Sequence, residues 1–340
     1  MEYIDIRSDT VTKPSRKMLE AMLDAKVGDD VFGEDPTVNM LQEKCAKITG
    51  KEKALFVPTG CMANQLAVKS HTHQGDEVIL ERESHILNYE TAAASIISRV
   101  QLYPIEGING VMNPDDIKKS VRPDDYYFPK TKLICVENTH NRAGGVIQPY
   151  ENLKTISGFA RESGIKMHMD GARIFNASVE TGIDVMDYAK LADSISFCFS
   201  KGLGAPVGSV LCGTAKFINI AHKWRKIIGG GMRQAGVLAA AALYALENNV
   251  ERLKEDHAKA KYFANEINKI DGVEVELETV QTNMVIFWTT KYQKPEFIRL
   301  LKDKGVLVSA GSFHKIRAVF HLDVQMNEVT KAVDVIKSLF

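Results

Sequence analysis

The chain has 340 residues, 45% of them hydrophobic and 25% charged, which is ordinary globular composition with ample material for a core. Its 43 Lys and Arg balance 43 Asp and Glu, so the formal net charge is +0, against the basic excess of a nucleic-acid or membrane-surface protein. The longest apolar stretch, Val237–Leu246, is too short to span a bilayer, which takes about 20 residues.

The first residues, Ile4–Thr12, read as extended. The start carries Glu2, Asp5 and Arg7 and lacks the basic-then-apolar pattern of a signal peptide. Pro14 prepares a helix beginning at Ser15 or Arg16. From Lys53 to Gly213, short apolar β-rich runs alternate with helical patterns. The strand-like runs are Ala54–Pro58, Glu77–Glu81, Val100–Tyr103, Leu133–Glu137, Lys166–Asp170, Ser194–Phe199 and Ser209–Gly213. Between them lie helical segments such as Ala63–His71, Pro114–Val121 and Glu151–Glu162. Asn113 before Pro114 is an N-cap signal, and Gly164 is a helix stop. Such alternation predicts βαβ units, hence an α/β fold with a mostly parallel sheet of about seven strands and flanking helices. A long helical pattern runs from about Gln234 to Asn268. The remainder mixes strands at Met284–Trp288 and Ile316–Phe320 with helices at Pro295–Lys304 and Asn327–Leu339, an α+β signature. The expected division is a large domain over 15–245 and a smaller α+β domain from 1–14 and 246–340. Five cysteines without a CxxC pair, three of them (Cys135, Cys198, Cys212) in apolar runs, read as reduced, mostly buried thiols of a cytoplasmic protein.

In open α/β sheets, ligands bind outside the carboxyl ends of the strands. The first run ends in Thr59-Gly60-Cys61-Met62-Ala63-Asn64, a small-residue turn opening into a helix. Unpaired N–H groups and the helix dipole make such a turn a phosphate cradle, although an ordinary tight turn reads the same way. Asp170 ends another run beside Gly171 and Arg173, and is a ligand partner or a helix N-cap. Lys201 follows the next run at the same rim, ahead of Gly-Leu-Gly-Ala-Pro. Cradle, carboxylate and lysine together suit pyridoxal phosphate, which needs a phosphate site, an acidic partner for its ring nitrogen and a lysine for its covalent link. No GxxxxGK[ST] or HExxH is present, and the glycines from Gly202 to Gly208 lead into a strand where a dinucleotide loop needs a helix. His71 and His73 lack a third ligand and read as surface residues, so no metal site is expected. Gly229-Gly230-Gly231 lies between two helices, as a mobile connector or as an anion loop with Arg233 as clamp.

Several strings resemble the low-specificity L-threonine aldolases, pyridoxal-phosphate enzymes of the aspartate-aminotransferase fold. They are Arg7–Pro14 (RSDTVTKP), Val27–Pro36 (VGDDVFGEDP), Ser84-His85, Glu137–Asn141 (ENTHN), His168–Arg173 (HMDGAR), Phe199–Gly202 (FSKG) and Gly229–Gly236 (GGGMRQAG). The resemblance covers nearly the whole chain and implies the large-plus-small-domain architecture of fold type I. It implies that Lys201 bonds the cofactor, that Asp170 partners its ring nitrogen, and that His85 stacks on the ring near the substrate hydroxyl. Ser8, Arg173 and Arg317 would hold the substrate carboxylate, a task suited to an arginine fork. Gly60 and Cys61 would face the phosphate, with Lys226 and Arg233 reaching it from a neighbouring subunit of a homotetramer, a dimer of dimers.

Two positions depart from the pattern. The family reads Ser-Gly-Thr where this chain has Thr59-Gly60-Cys61, and a thiol is the poorer hydrogen-bond donor. Tyr127 stands where many members carry a histidine near the substrate side chain, or else packs in its loop. The expected reaction is retro-aldol cleavage of L-threonine or L-allo-threonine to glycine and acetaldehyde, with His85 as base. The same scaffold also serves aminotransferases, β-eliminating lyases and non-catalytic cofactor-binding proteins.

Overall fold

The computed structural model describes residues 3–340; Glu2, used above in reading the chain start, lies outside them. The large sheet has seven strands: β1 (Lys53–Val57), β2 (Glu77–Glu81), β3 (Gln101–Ile105), β4 (Thr131–Glu137), β5 (Lys166–Asp170), β6 (Ser194–Cys198) and β7 (Ser209–Gly213). Their order is β1-β7-β6-β5-β4-β2-β3, and β7 alone runs antiparallel to its neighbours. Side chains alternate between the two faces, so both faces must be covered. Phe56 and Val210 join a core with the helices Pro36–Thr49, Tyr150–Glu162 and Gly236–Asn248. Leu55, Val57 and Leu211 pack the other way, against Gly60–His71 and Ala215–Ile227.

A second core surrounds Phe263, Phe287, Phe297 and Phe320. Its antiparallel sheet comprises β8 (Val273–Val275), β9 (Met284–Thr289), β10 (Ser309–Ala310) and β11 (Ile316–Val319), in the order β8-β9-β11-β10. Ile4–Asp5 pairs in parallel with Val306–Leu307, and Ile6 enters this core, so the N-terminal segment is tied to the last third of the chain. No helix among the described residues is long and apolar enough to cross a membrane.

Three local expectations are corrected. The pattern Gln234–Asn268 is two helices, Gly236–Asn248 and Leu253–Ile267. Asn249 caps the first and turns its side-chain amide to Leu203 O at 2.7 Å, a tertiary bond that the helical periodicity does not reveal. The strand expected at Val100–Tyr103 runs instead to Ile105, through Pro104; this is tolerated because β3 is the sheet edge, where one ladder N–H is dispensable. His71 is not a surface residue: its ring stacks on Phe217 with centroids 4.3 Å apart, and burial depresses its pKa to about 3.

Candidate active site

The carboxyl ends of β1, β5 and β6 meet at a cavity of about 340 Å³, whose lining includes Gly60, Cys61, His85, Asp170, Arg173 and Lys201. The helix Gly60–His71 starts three residues earlier than its apolar pattern indicates, because Thr59 caps it, its hydroxyl accepting from Met62 N at 3.1 Å. The first N–H groups of any helix lack intrahelical partners. Gly60 lets backbone approach closely here, since a Cβ would lie 2.8 Å from Cys198 Sγ. Burial, with the charges of Glu90 and Asp170, pushes the Cys61 thiol up to about 11, so it stays protonated.

Asp170 is only 4% exposed. Its Oδ1 accepts from Ala172 N at 3.1 Å and its Oδ2 from Asn64 Nδ2 at 2.8 Å. The following helix begins at Ile174 with Arg173 as its cap residue, so Asp170 is not an N-cap. Burial pushes its carboxyl pKa up, but the charges of His85 and Lys201 and the Asn64 hydrogen bond outweigh it and hold Asp170 below the usual carboxylate range. Lys201 is half-buried, two residues past Phe199, and its backbone carbonyl accepts from Gly204 N at 2.8 Å.

His85 follows β2 at the head of a short helix, its N–H donating to Glu137 Oε2 at 2.7 Å. Its Nδ1 lies 2.9 Å from Oε1 of Glu90, a buried carboxylate that also accepts from Asn64 Nδ2 at 2.8 Å and Gln65 Nε2 at 2.5 Å. Burial lowers the imidazole pKa, yet the Glu90 hydrogen bond and the charges of Asp170, Glu90 and Glu137 raise it above the ordinary histidine value. Cys61, His85 and Glu90 place a sulfur, a nitrogen and an oxygen within 4.8 Å of one another, a set that could hold a soft divalent cation. Its His85 and Glu90 atoms are already engaged by the bonds just described.

The expected carboxylate-binding set divides. Arg173 is buried and clamped by Asp9, Nε to Oδ2 at 2.7 Å and Nη2 to Oδ1 at 2.6 Å, leaving Nη1 on Asn141 Oδ1 at 3.3 Å. Its fork is therefore occupied. Arg317 is half-buried and outside the cavity lining, touching Ser309 Oγ at 3.3 Å and Asn141 Oδ1 at 3.1 Å, and has no carboxylate partner among the described residues. Ser8 caps a single turn, its Oγ accepting from Thr10 N at 3.2 Å, and lies outside the cavity lining.

Three more expected residues stay away from their own chain's cavity. Arg233 is exposed and pairs with Asp29 at 2.8 Å, and Lys226 is exposed in the last turn of its helix. Tyr127 is 64% exposed, packs on Tyr126 and Phe128 in the loop before β4, and lies outside the cavity lining.

The family model of the beta-eliminating lyases matches residues 5–290. The chain is 44% identical over 329 residues to the low specificity L-threonine aldolase of Escherichia coli K12, covering 96% of each sequence. The chain belongs to the beta-eliminating lyase family, among the low-specificity L-threonine aldolases. Low-specificity L-threonine aldolase 1 of Arabidopsis thaliana is 42% identical over 336 residues, 97% of this chain and 94% of that one. The solved threonine aldolase of Leishmania major shares the fold, with a TM-score of 0.84 at 18% identity over 98% of this chain and 99% of that one.

In this member of the family, sequence reasoning missed Glu90, Asn64 and Asp9 as parts of the site. Asn64 stood within the turn already singled out, and Glu90 lies five residues after His85, so proximity was the available signal. Asp9 stood in the Arg7–Pro14 string, but nothing local marked its pairing with Arg173, 164 residues away.

Proposed function

We propose that this chain cleaves L-threonine, L-allo-threonine and related β-hydroxy-α-amino acids to glycine and an aldehyde, with pyridoxal 5′-phosphate as cofactor. The observation that carries this reading is the convergence of Lys201, Asp170 and the Gly60 turn on one cavity walled by His85, whose ring Glu90 holds from behind the wall. These residues fit the cofactor. A helix start trimmed to glycine suits a phosphate, a buried ionised carboxylate suits a protonated ring nitrogen, and a lysine at the rim suits a covalent link to an aldehyde. Bound pyridoxal phosphate supplies an electron-poor ring that takes up the electron pair released when the substrate Cα–Cβ bond breaks.

The protein groups then have separable tasks. Lys201 Nζ holds the cofactor, Asp170 keeps the proton on its ring nitrogen, and the N–H groups of Gly60 and Cys61 receive the phosphate. Arg173, which lines the cavity and is locked on Asp9, and Arg317, joined to it through Asn141, together supply the positive charge that binds the substrate carboxylate. Glu90 fixes the His85 tautomer: Nδ1 donates to the carboxylate, so Nε2 is the lone pair that accepts the β-hydroxyl proton. A second copy of the chain completes the site in a homotetramer built as a dimer of dimers, bringing Lys226 and Arg233 to the phosphate and Tyr127 towards the substrate side chain. Their exposure outside their own cavity supports this arrangement. We place the enzyme in the cytoplasm, in keeping with its five unpaired cysteines.

An aldehyde-release assay across threonine, allo-threonine, serine and phenylserine tests the substrate class. Release from each of the first two is expected, and release from none would refute the reading. The His85 assignment has its own test in Glu90→Gln. A base must be neutral, and Glu90 raises the proton affinity of His85, so the acid limb of kcat/KM should lie above pH 6.5. Removing the Glu90 charge should move that limb downward. A limb that stays in place assigns the proton transfer to another group.

A further inference from the structure

Behind Asp170, alternate residues of two neighbouring strands face the helix Gly60–His71. His168 pairs with Ser194 and Asp170 with Ser196 across β5 and β6, and the helix supplies Asn64 and, two turns later, His71. Asn64, His168 and Ser194 are at most 2% exposed.

Asn64 sets a direction through this cluster. Its Nδ2 lies 2.8 Å from both Glu90 Oε1 and Asp170 Oδ2, and ionised carboxylates only accept. Its Oδ1 therefore faces away, accepting from Ser196 Oγ at 3.0 Å and from His168 Nε2 at 3.3 Å. With its proton on Nε2, His168 has a lone pair on Nδ1, which accepts from Ser194 Oγ at 2.9 Å. Ser194 Oγ in turn accepts from His71 Nε2 at 2.8 Å. Every donor points towards the Asp170 and Glu90 carboxylates. Both imidazoles are neutral near pH 7, since burial depresses His168 to about 4 and His71 to about 3.

We infer that this one-way hydrogen-bond chain sets the basicity of Asp170, with His168 as a positioning residue that acts through Asn64. A held donor makes the carboxylate less basic, so the shared proton stays on the cofactor nitrogen. With His168 gone, only Ser196 anchors the Asn64 carbonyl, the amide turns more freely, and Asp170 draws the proton towards itself. The inference rests on the pyridoxal-phosphate reading above.

The test loads His168→Leu, His168→Gln and Ser194→Ala with ring-¹⁵N pyridoxal phosphate and compares each holoenzyme with wild type by ¹⁵N NMR and by kcat and KM for L-threonine. In His168→Leu the ring-nitrogen resonance should move from the protonated towards the neutral position, with kcat roughly three- to tenfold lower and KM little changed. His168→Gln, which keeps an N–H in reach of Asn64, should restore the wild-type resonance. Ser194→Ala frees the His168 tautomer and should move the resonance the same way by less; it decides the question alone if His168→Leu does not fold. A wild-type resonance in the folded Leu and Ala variants overturns the inference. Wild-type protein that binds the cofactor with a protonated ring nitrogen but releases no aldehyde overturns the proposed activity and leaves the chain of donors standing.

Discussion

Lys201→Ala should lose threonine cleavage by more than ~10³-fold while keeping the fold. The amine stands at the cavity shared with Asp170 and the Gly60 turn, and its side chain makes no hydrogen bond among the described residues that alanine would break. Borohydride reduction of wild-type holoenzyme followed by peptide mapping should place the cofactor on Lys201. Label on another lysine would remove Lys201 from its role, whatever the variant's activity.

Asp170→Asn should be nearly as damaging for a different reason. An amide matches the carboxylate in shape and can still accept from Asn64 or Ala172, but it brings no negative charge to a site that is 4% exposed. Removing one partner of a buried ion pair costs about 3–5 kcal/mol, or roughly a hundred- to a few thousandfold in rate if the whole loss falls on the transition state. The measurement is kcat for threonine in protein shown by absorbance to carry cofactor. Near-normal turnover would reduce Asp170 to a residue that orders the turn at Ala172.

That the Thr59–Cys61 turn, Asp170 and Lys201 share one rim was legible because their signals are local. Continuous apolar runs mark strands buried on both faces, and the residue after each run marks the rim where an α/β sheet places its ligands. Thr59–Cys61, Asp170 and Lys201 all follow from that rule. What escaped depends on contacts between distant segments. Arg173 looks like a free anion clamp until Asp9 is seen to fill its fork, and Arg317 is joined to it through Asn141. Glu90 reads as one more charged residue after His85, although its burial and three donors make it the group that fixes the imidazole. His71 looked like a solvent-facing neighbour of His73, because neither the Phe217 stack nor the Ser194 hydrogen bond leaves a mark in local sequence.

The most direct measurement of the central claim is product identity from a single substrate. Purified holoenzyme incubated with L-threonine should yield glycine and acetaldehyde in equal amounts, with the carbon balance closed by those two products. Formation of 2-oxobutyrate and ammonia in their place would show elimination at the same cavity and contradict the aldolase assignment.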